Sequence, residues 1–361
     1  MNQPTRHLPG LDGLRGIAAL VVVFLHGTLF VGNIRYRPDA ACLAVDFFFM
    51  LSGFVIAHAY DERLAHGMTW RQFMAVRIIR LYPMLLLGTA MGAVLFIAAH
   101  LARHGASVMA TLLMAAGSFM LLPVGLAAGT VAYPVNIAAW SLFFEFAANA
   151  LYGSRFGRVG NRHLVAFVVV SGVAMVPMAL WGGPYIEIGL GDPAAFLLGF
   201  VRVGYPFWVG VLLFRAVDWN RVPKVPIEAI GLTLALLLLA PVDSALYNLL
   251  LVLALFPLIV LFAASAGMGS RTTRACLALG ELSYPLYLVH VPILRLINWM
   301  GDKIHLGLSP WVLIPGGGIL SIVVAHSAAV AFDTLVRGWL SRARNGREPA
   351  DAGNPTVRVP G

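Results

Sequence analysis

The sequence predicts an all-α polytopic membrane protein, with about ten transmembrane helices and a re-entrant or interfacial segment near 108–127. Three observations carry this reading. Hydrophobic residues fill 60% of the 361 positions and charged residues only 11%, against roughly 25% charged in a soluble domain. The apolar residues fall in long runs, such as LTLALLLLA and NLLLVLALFPLIVLFAA, and a run of about 18 or more reads as a helical span. The Lys and Arg residues behind the net charge of +9 sit largely between those runs. In a soluble protein such a charge would point to nucleic acid; at helix ends it follows the positive-inside rule. A transmembrane β-barrel would instead show short alternating segments.

Apolar segments are read at about 11–31, 42–60, 78–101, 108–127, 134–152, 164–181, 194–214, 227–241, 245–266, 278–300 and 311–336. Charge decides how many of them cross. If 108–127 stays at the outer side, 18 of the 25 Lys and Arg residues fall on the cytoplasmic side. Only Arg35, Arg37, Arg103 and Lys303 then fall outside. If it crosses, eight basic residues from Arg155 to Arg274 swap outward. The positive-inside rule therefore favours ten spans with both termini cytoplasmic, in a cell's inner (cytoplasmic) membrane. The Gly and Ala content of 108–127, with Pro123, suits a re-entrant or interfacial piece. The N-terminus is no cleavable signal, because no small-residue cleavage site follows its apolar stretch. Cys42 and Cys276 form neither a CxxC nor a metal spacing, and the topology puts them near opposite faces, too far apart to pair. Residues 1–340 are read as one integral-membrane domain, and the polar tail 341–361, rich in Pro and Gly, as disordered.

Ionisable groups within spans are costly, so each needs a reason. In RGIAALVVVFLH, Arg15 and His26 are eleven residues apart, which on a helix places them on one face about 16 Å apart along the axis. Arg15 alone reads as a snorkelling anchor that Asp12 can pair with. His26 at that depth needs a polar partner or a water-filled cavity. VDFFFMLSGF places Asp46 near the outer end of the second span and Ser52 near its middle, where Ser52 and Gly53 also suit close helix packing. In RIIRLYP, Arg77 and Arg80 share a face at the inner end of the third span and can either grip a phosphate or anchor the helix. WSLFFE runs from Trp140, an interfacial residue type, through Ser141 to the deeper Glu145. LGELSYPLYLVHVP places His290 near mid-membrane with Tyr287 on its face, while Pro285 and Pro292 break the helix beside a cavity. By depth, His26, Asp46, Glu145 and His290 fall between mid-membrane and the outer face, and Arg77 and Arg80 at the inner face. A polar outer cavity and an anion-binding inner mouth suit either transport or chemistry that joins two compartments.

These five stretches, in this order, resemble the acyltransferase family 3 membrane proteins, which acylate sugars and other glycans. Arg15 and His26 match that family's arginine, ten residues, histidine; the other four stretches match its further elements, with Ala44 where members often carry Gly. The resemblance covers about 10–300, and 150–275 carries no matching motif. It implies transfer of an acyl group, acetyl by default, from cytoplasmic acyl-CoA to a hydroxyl on the outer side, with no metal. It implies His26 as general base, with Asp46 or Glu145 orienting it. It further implies Arg77 and Arg80 on CoA phosphates, Arg15 along the channel, and Trp140, Tyr287 and His290 lining the pocket. A covalent acyl-His26 or acyl-Ser52 intermediate is the other chemical route. The reading from another class is a secondary transporter or flippase, against which stands the lack of an inverted repeat.

Overall fold

The computed structural model describes residues 8–31, 34–103, 108–304, 308–333, 335 and 338. The expected disordered tail, 341–361, lies outside the described residues. In chain order the helices are α1 Pro9–Phe30, α2 Ala44–Ala65, α3 Trp70–Arg103, α4 Val108–Phe119, α5 Val124–Ala127 and α6 Ala139–Gly153. They continue with α7 Asn161–Trp181, α8 Pro193–Ala216, α9 Ile227–Leu238, α10 Ala245–Leu250, α11 Phe256–Ser265, α12 Ser270–Ile304 and α13 Pro310–Ala328. A single π-helical turn, Leu251–Leu255, fuses α10 and α11 into one rod. No strand occurs among the described residues.

Eight of these units are long and apolar enough to cross a membrane: α1, α2, α3, α7, α8, α10–α11, α12 and α13. The sequence reading expects about ten. The two segments that fall short are α6, with 15 residues, and α9, with 12. At about 1.5 Å per residue they reach roughly 22 and 18 Å, less than the about 30 Å of a hydrocarbon core.

Side-chain pairings fix the relative direction of six of these helices. α1 and α12 run parallel, since Gly13 meets Cys276, Gly16 meets Leu279 and His26 meets His290. α2 and α8 run parallel the opposite way, through Asp46–Arg202, Gly53–Phe207 and Asp61–Arg215. α6 follows α2, through Phe49–Trp140, Ser52–Glu145 and Asp61–Tyr152. It opposes α3, where Arg77 meets Glu145 and Phe73 meets Tyr152. The chain therefore reverses once between α3 and α6, and α4 adds no crossing of its own. Ala93 of α3, Ala115 of α4 and Val135 just before α6 pack together, so the 108–127 region dips in and returns on the same side. That is the re-entrant geometry the charge count favours.

The helix pairs touch at backbone distance. A Cβ on Gly16 would lie 2.5 Å from the Leu279 Cβ, and one on Gly53 would lie 1.9 Å from the Phe207 carbonyl oxygen. Small residues give such close approach in membranes, where dispersion and not water expulsion holds helices together. α12 continues through Pro285 and Pro292 as one helix, against the expected break. Pro292 has no N–H to offer the Leu288 carbonyl, and the buried Asn136 Nδ2 donates to that oxygen at 3.0 Å instead. Cys42 and Cys276 are both free, the first beside Arg202, the second beside Gly13 at the other end of the bundle.

Candidate active site

Two cavities meet inside the bundle. The larger, about 830 Å³, is lined at one end by Asp12, Arg15, Arg77, Arg80, Glu281 and His326. This end opens at the face where α1 begins. Deeper in, it is walled by Phe48, Phe49, Ser52, Ser141, Glu145 and Tyr287. The smaller pocket, about 40 Å³, is lined by His26, Val45, Trp140, Arg202 and Tyr287, and by Ala41, Cys42, Ile137, Ile186 and Leu190 of the loops at the opposite face. Val45 and Tyr287 line both, so they form the partition. The Tyr287 hydroxyl is 2.7 Å from Ser141 Oγ, and its ring stands edge-on to Phe48.

The wide cavity is cationic at its mouth. Arg77 is buried, donates through Nη2 to Glu145 Oε1 at 2.9 Å, and leaves its Nε without a protein partner. Ser52 Oγ donates to the same Glu145 oxygen at 2.8 Å. Glu145 thus ties α2, α3 and α6 together, and it is not bonded to His26. Arg80, one turn from Arg77, is exposed and makes no salt bridge with the described residues. Arg15 keeps a long 3.4 Å contact with Asp12. Arg15 and Arg80, less tied down than Arg77, are therefore the guanidinia freest to meet an anionic guest.

Asp46 is also not the partner of His26. It is fully buried against Arg202 of α8, whose Nε and Nη2 both reach its carboxylate, Nη2 at 2.8 Å. The remaining Arg202 donors go to the carbonyls of Tyr185, Ile188 and Cys42, at 3.0, 2.9 and 2.9 Å. All five N–H groups of the guanidinium are used. The Tyr185 hydroxyl donates to Asp46 at 3.1 Å. Burial, and then the neighbouring carboxylate, hold that phenol well above its ordinary range, so it stays a donor. Rings of Trp140 and Tyr185 lie 5.1 and 4.5 Å from the guanidinium carbon. The cluster locks the loops 39–43 and 184–190 onto α2 and α8.

His26 finds its partner on α12. Its Nδ1 lies 2.9 Å from His290 Nε2 and 3.1 Å from the Val22 carbonyl, and its ring stacks on Phe30. His290 is fully buried behind His26 and lines neither cavity, contrary to its expected place in the pocket wall. Of the other expected site residues, Arg15, Ser52, Arg77, Arg80, Ser141, Glu145 and Tyr287 converge on the wide cavity, and His26 and Trp140 on the narrow one. Arg202 is a charge within the apolar run 194–214 to which the sequence assigns no partner. Its depth near the outer end of α8, level with Asp46, is the signal that could have paired the two. Asn136 carries no signal in the sequence, since its partner is the Leu288 carbonyl that Pro292 leaves without a donor.

A bundle with a cationic cavity at one face, and a histidine pocket beyond a thin partition, has the form of a polytopic membrane enzyme. A family model described as an acyltransferase domain, that of acyltransferase family 3, matches residues 8–330. The chain belongs to this family and is an acyltransferase. It is 35% identical over 181 residues to "Protein 2 in picA locus" of Rhizobium radiobacter, covering 47% of this chain and 93% of that protein. No solved structure matches it.

Proposed function

We propose that this acyltransferase moves an acyl group, acetyl by preference, from cytoplasmic acyl-CoA to a hydroxyl of a sugar or glycan on the outer side of the inner membrane. The observation that carries this is the pair of cavities: one wide and cationic, opening at the face where α1 begins, and one holding His26 against the loops of the opposite face. The positive-inside rule supports assigning the first face to the cytoplasm, since Arg63, Arg71, Arg155, Arg215, Lys224 and Arg271 all lie at helix ends on that side.

In this reading Arg15 and Arg80 hold the CoA phosphates. Guanidinia suit phosphate because they bind it in a planar fork. Arg77, fixed by Glu145, supplies the charge beneath them. The pantetheine arm extends along the cavity past Ser52 and Ser141, and the Tyr287 side chain swings aside to bring the thioester to His26. His26 takes the proton of the acceptor hydroxyl as its oxygen attacks the thioester carbonyl. The new C–O bond forms, the C–S bond breaks, and the leaving sulfur takes the proton from His26. Ester and free CoA result. A route through acyl-Ser52 is supported less, because the Glu145 oxygen that accepts from Ser52 also accepts from Arg77, which weakens that carboxylate as a base.

Proteoliposomes test the proposal, with radiolabelled acetyl-CoA on one side and a glycan panel on the other. Transfer should be lost in His26→Ala with the protein still dispersed and folded; unaltered transfer would remove the base assignment. Arg80→Ala should raise the donor KM by about tenfold, the order expected for one charge-assisted phosphate contact. An unchanged KM would remove Arg80 from the phosphate site.

A further inference from the structure

We infer that His290 is a positioning residue, which holds the proton of His26 on Nδ1 and so leaves Nε2 bare to act as the base. The inference deepens the proposed function and rests on its assignment of His26.

The argument is one of hydrogen-bond direction along a short chain of groups. His290 Nδ1 lies 3.0 Å from the Leu286 carbonyl oxygen, one helical turn back on α12. A carbonyl can only accept, so His290 Nδ1 must carry the hydrogen. Neutral imidazole has one N–H, so His290 Nε2 is a lone pair. That lone pair faces His26 Nδ1 at 2.9 Å. It is fully buried, and a buried acceptor without a donor is costly. The donor is therefore His26 Nδ1–H. The Val22 carbonyl, at 3.1 Å from the same nitrogen, asks for a hydrogen there too. The other tautomer of His26 would set its lone pair against two acceptors at once. A doubly protonated His290 would bury an unpaired charge, since its hydrogen-bond partners are the Leu286 and Tyr287 backbone and a second imidazole.

The same contact serves the reaction. When His26 accepts a proton on Nε2, its Nδ1–H becomes the donor of a cationic group, and the bond to His290 strengthens. In many hydrolases a carboxylate fills this role. Here both nearby carboxylates are engaged elsewhere, Asp46 with Arg202 and Glu145 with Arg77.

Two variants and one spectrum test this. His290→Phe keeps a ring of similar size and removes the acceptor. His290→Gln restores an amide oxygen near the position of Nε2. The Phe variant should lose about 10- to 100-fold in kcat, the range of one hydrogen bond to a charged group, with the donor KM unchanged. The Gln variant should recover most of that loss. Nitrogen-15 magnetic resonance of histidine-labelled protein in bilayers should show His26 protonated at Nδ1 and bare at Nε2. A native His26 protonated at Nε2 would overturn the inference whatever the variants do. So would full activity in His290→Phe, or a Gln variant no better than Phe. Activity surviving in His26→Ala would instead overturn the base assignment, so the two failures are distinct.

Discussion

Arg202 is the residue on which the outer part of the site turns. Its five donors fill five positions on Asp46 and three loop carbonyls. Removing one member of a buried ion pair costs about 3–5 kcal/mol, because the other charge is left without a partner. Asp46→Asn should therefore lower the melting temperature in detergent sharply. An Asp46→Leu, Arg202→Met double variant should recover part of the loss, as apolar pairs of similar volume often do. If Asp46→Asn instead leaves the melting temperature unchanged and abolishes transfer, Asp46 acts in the chemistry. At this scale, the sequence exposed which groups were unusual, because a charge in an apolar run is conspicuous. It did not expose their partners. His26 and Asp46 lie at similar depth, yet α1 packs on α12 and α2 packs on α8, and that lateral choice decides who bonds to whom.

The elements were legible in proportion to their length. Long apolar runs such as α1, α7 and α8 stand within a few residues of their sequence limits, since hydropathy and span length both mark them. α6 was read as an ordinary span although its helix is too short, because apolar loop residues before Ala139 extended the run. The re-entrant α4 was found by charge counting, since its own composition resembles a span. The tight seam between α1 and α12 gives an element-scale prediction. Gly16→Val would force side-chain atoms into Leu279, and the two helices must part. The His26–His290 bond sits about 15 Å further along the same seam. The variant should lose most transfer activity with the donor KM little affected, or fail to accumulate as folded protein. Normal kcat and yield would mean that the seam does not control the site.

At the scale of the whole molecule, the helix packing makes the large cavity and the histidine pocket meet end to end across the bundle. Composition foretold the membrane, and the motif order foretold the family, but neither foretold that the two chambers are walled apart. That wall is thin: Tyr287 and Val45 are the residues common to both linings. The consequence concerns the membrane's own work. A protein acting as proposed must still hold the electrical and proton gradients across the membrane, and the Tyr287 ring, bonded to Ser141, stands where a seal would be needed. Tyr287→Ala would join the chambers. Vesicles carrying it, loaded with a pH-sensitive dye, should lose an imposed proton gradient faster than vesicles carrying the native protein, while Tyr287→Phe should hold the gradient nearly as well. Equal decay in all three would mean the seal lies elsewhere along the path.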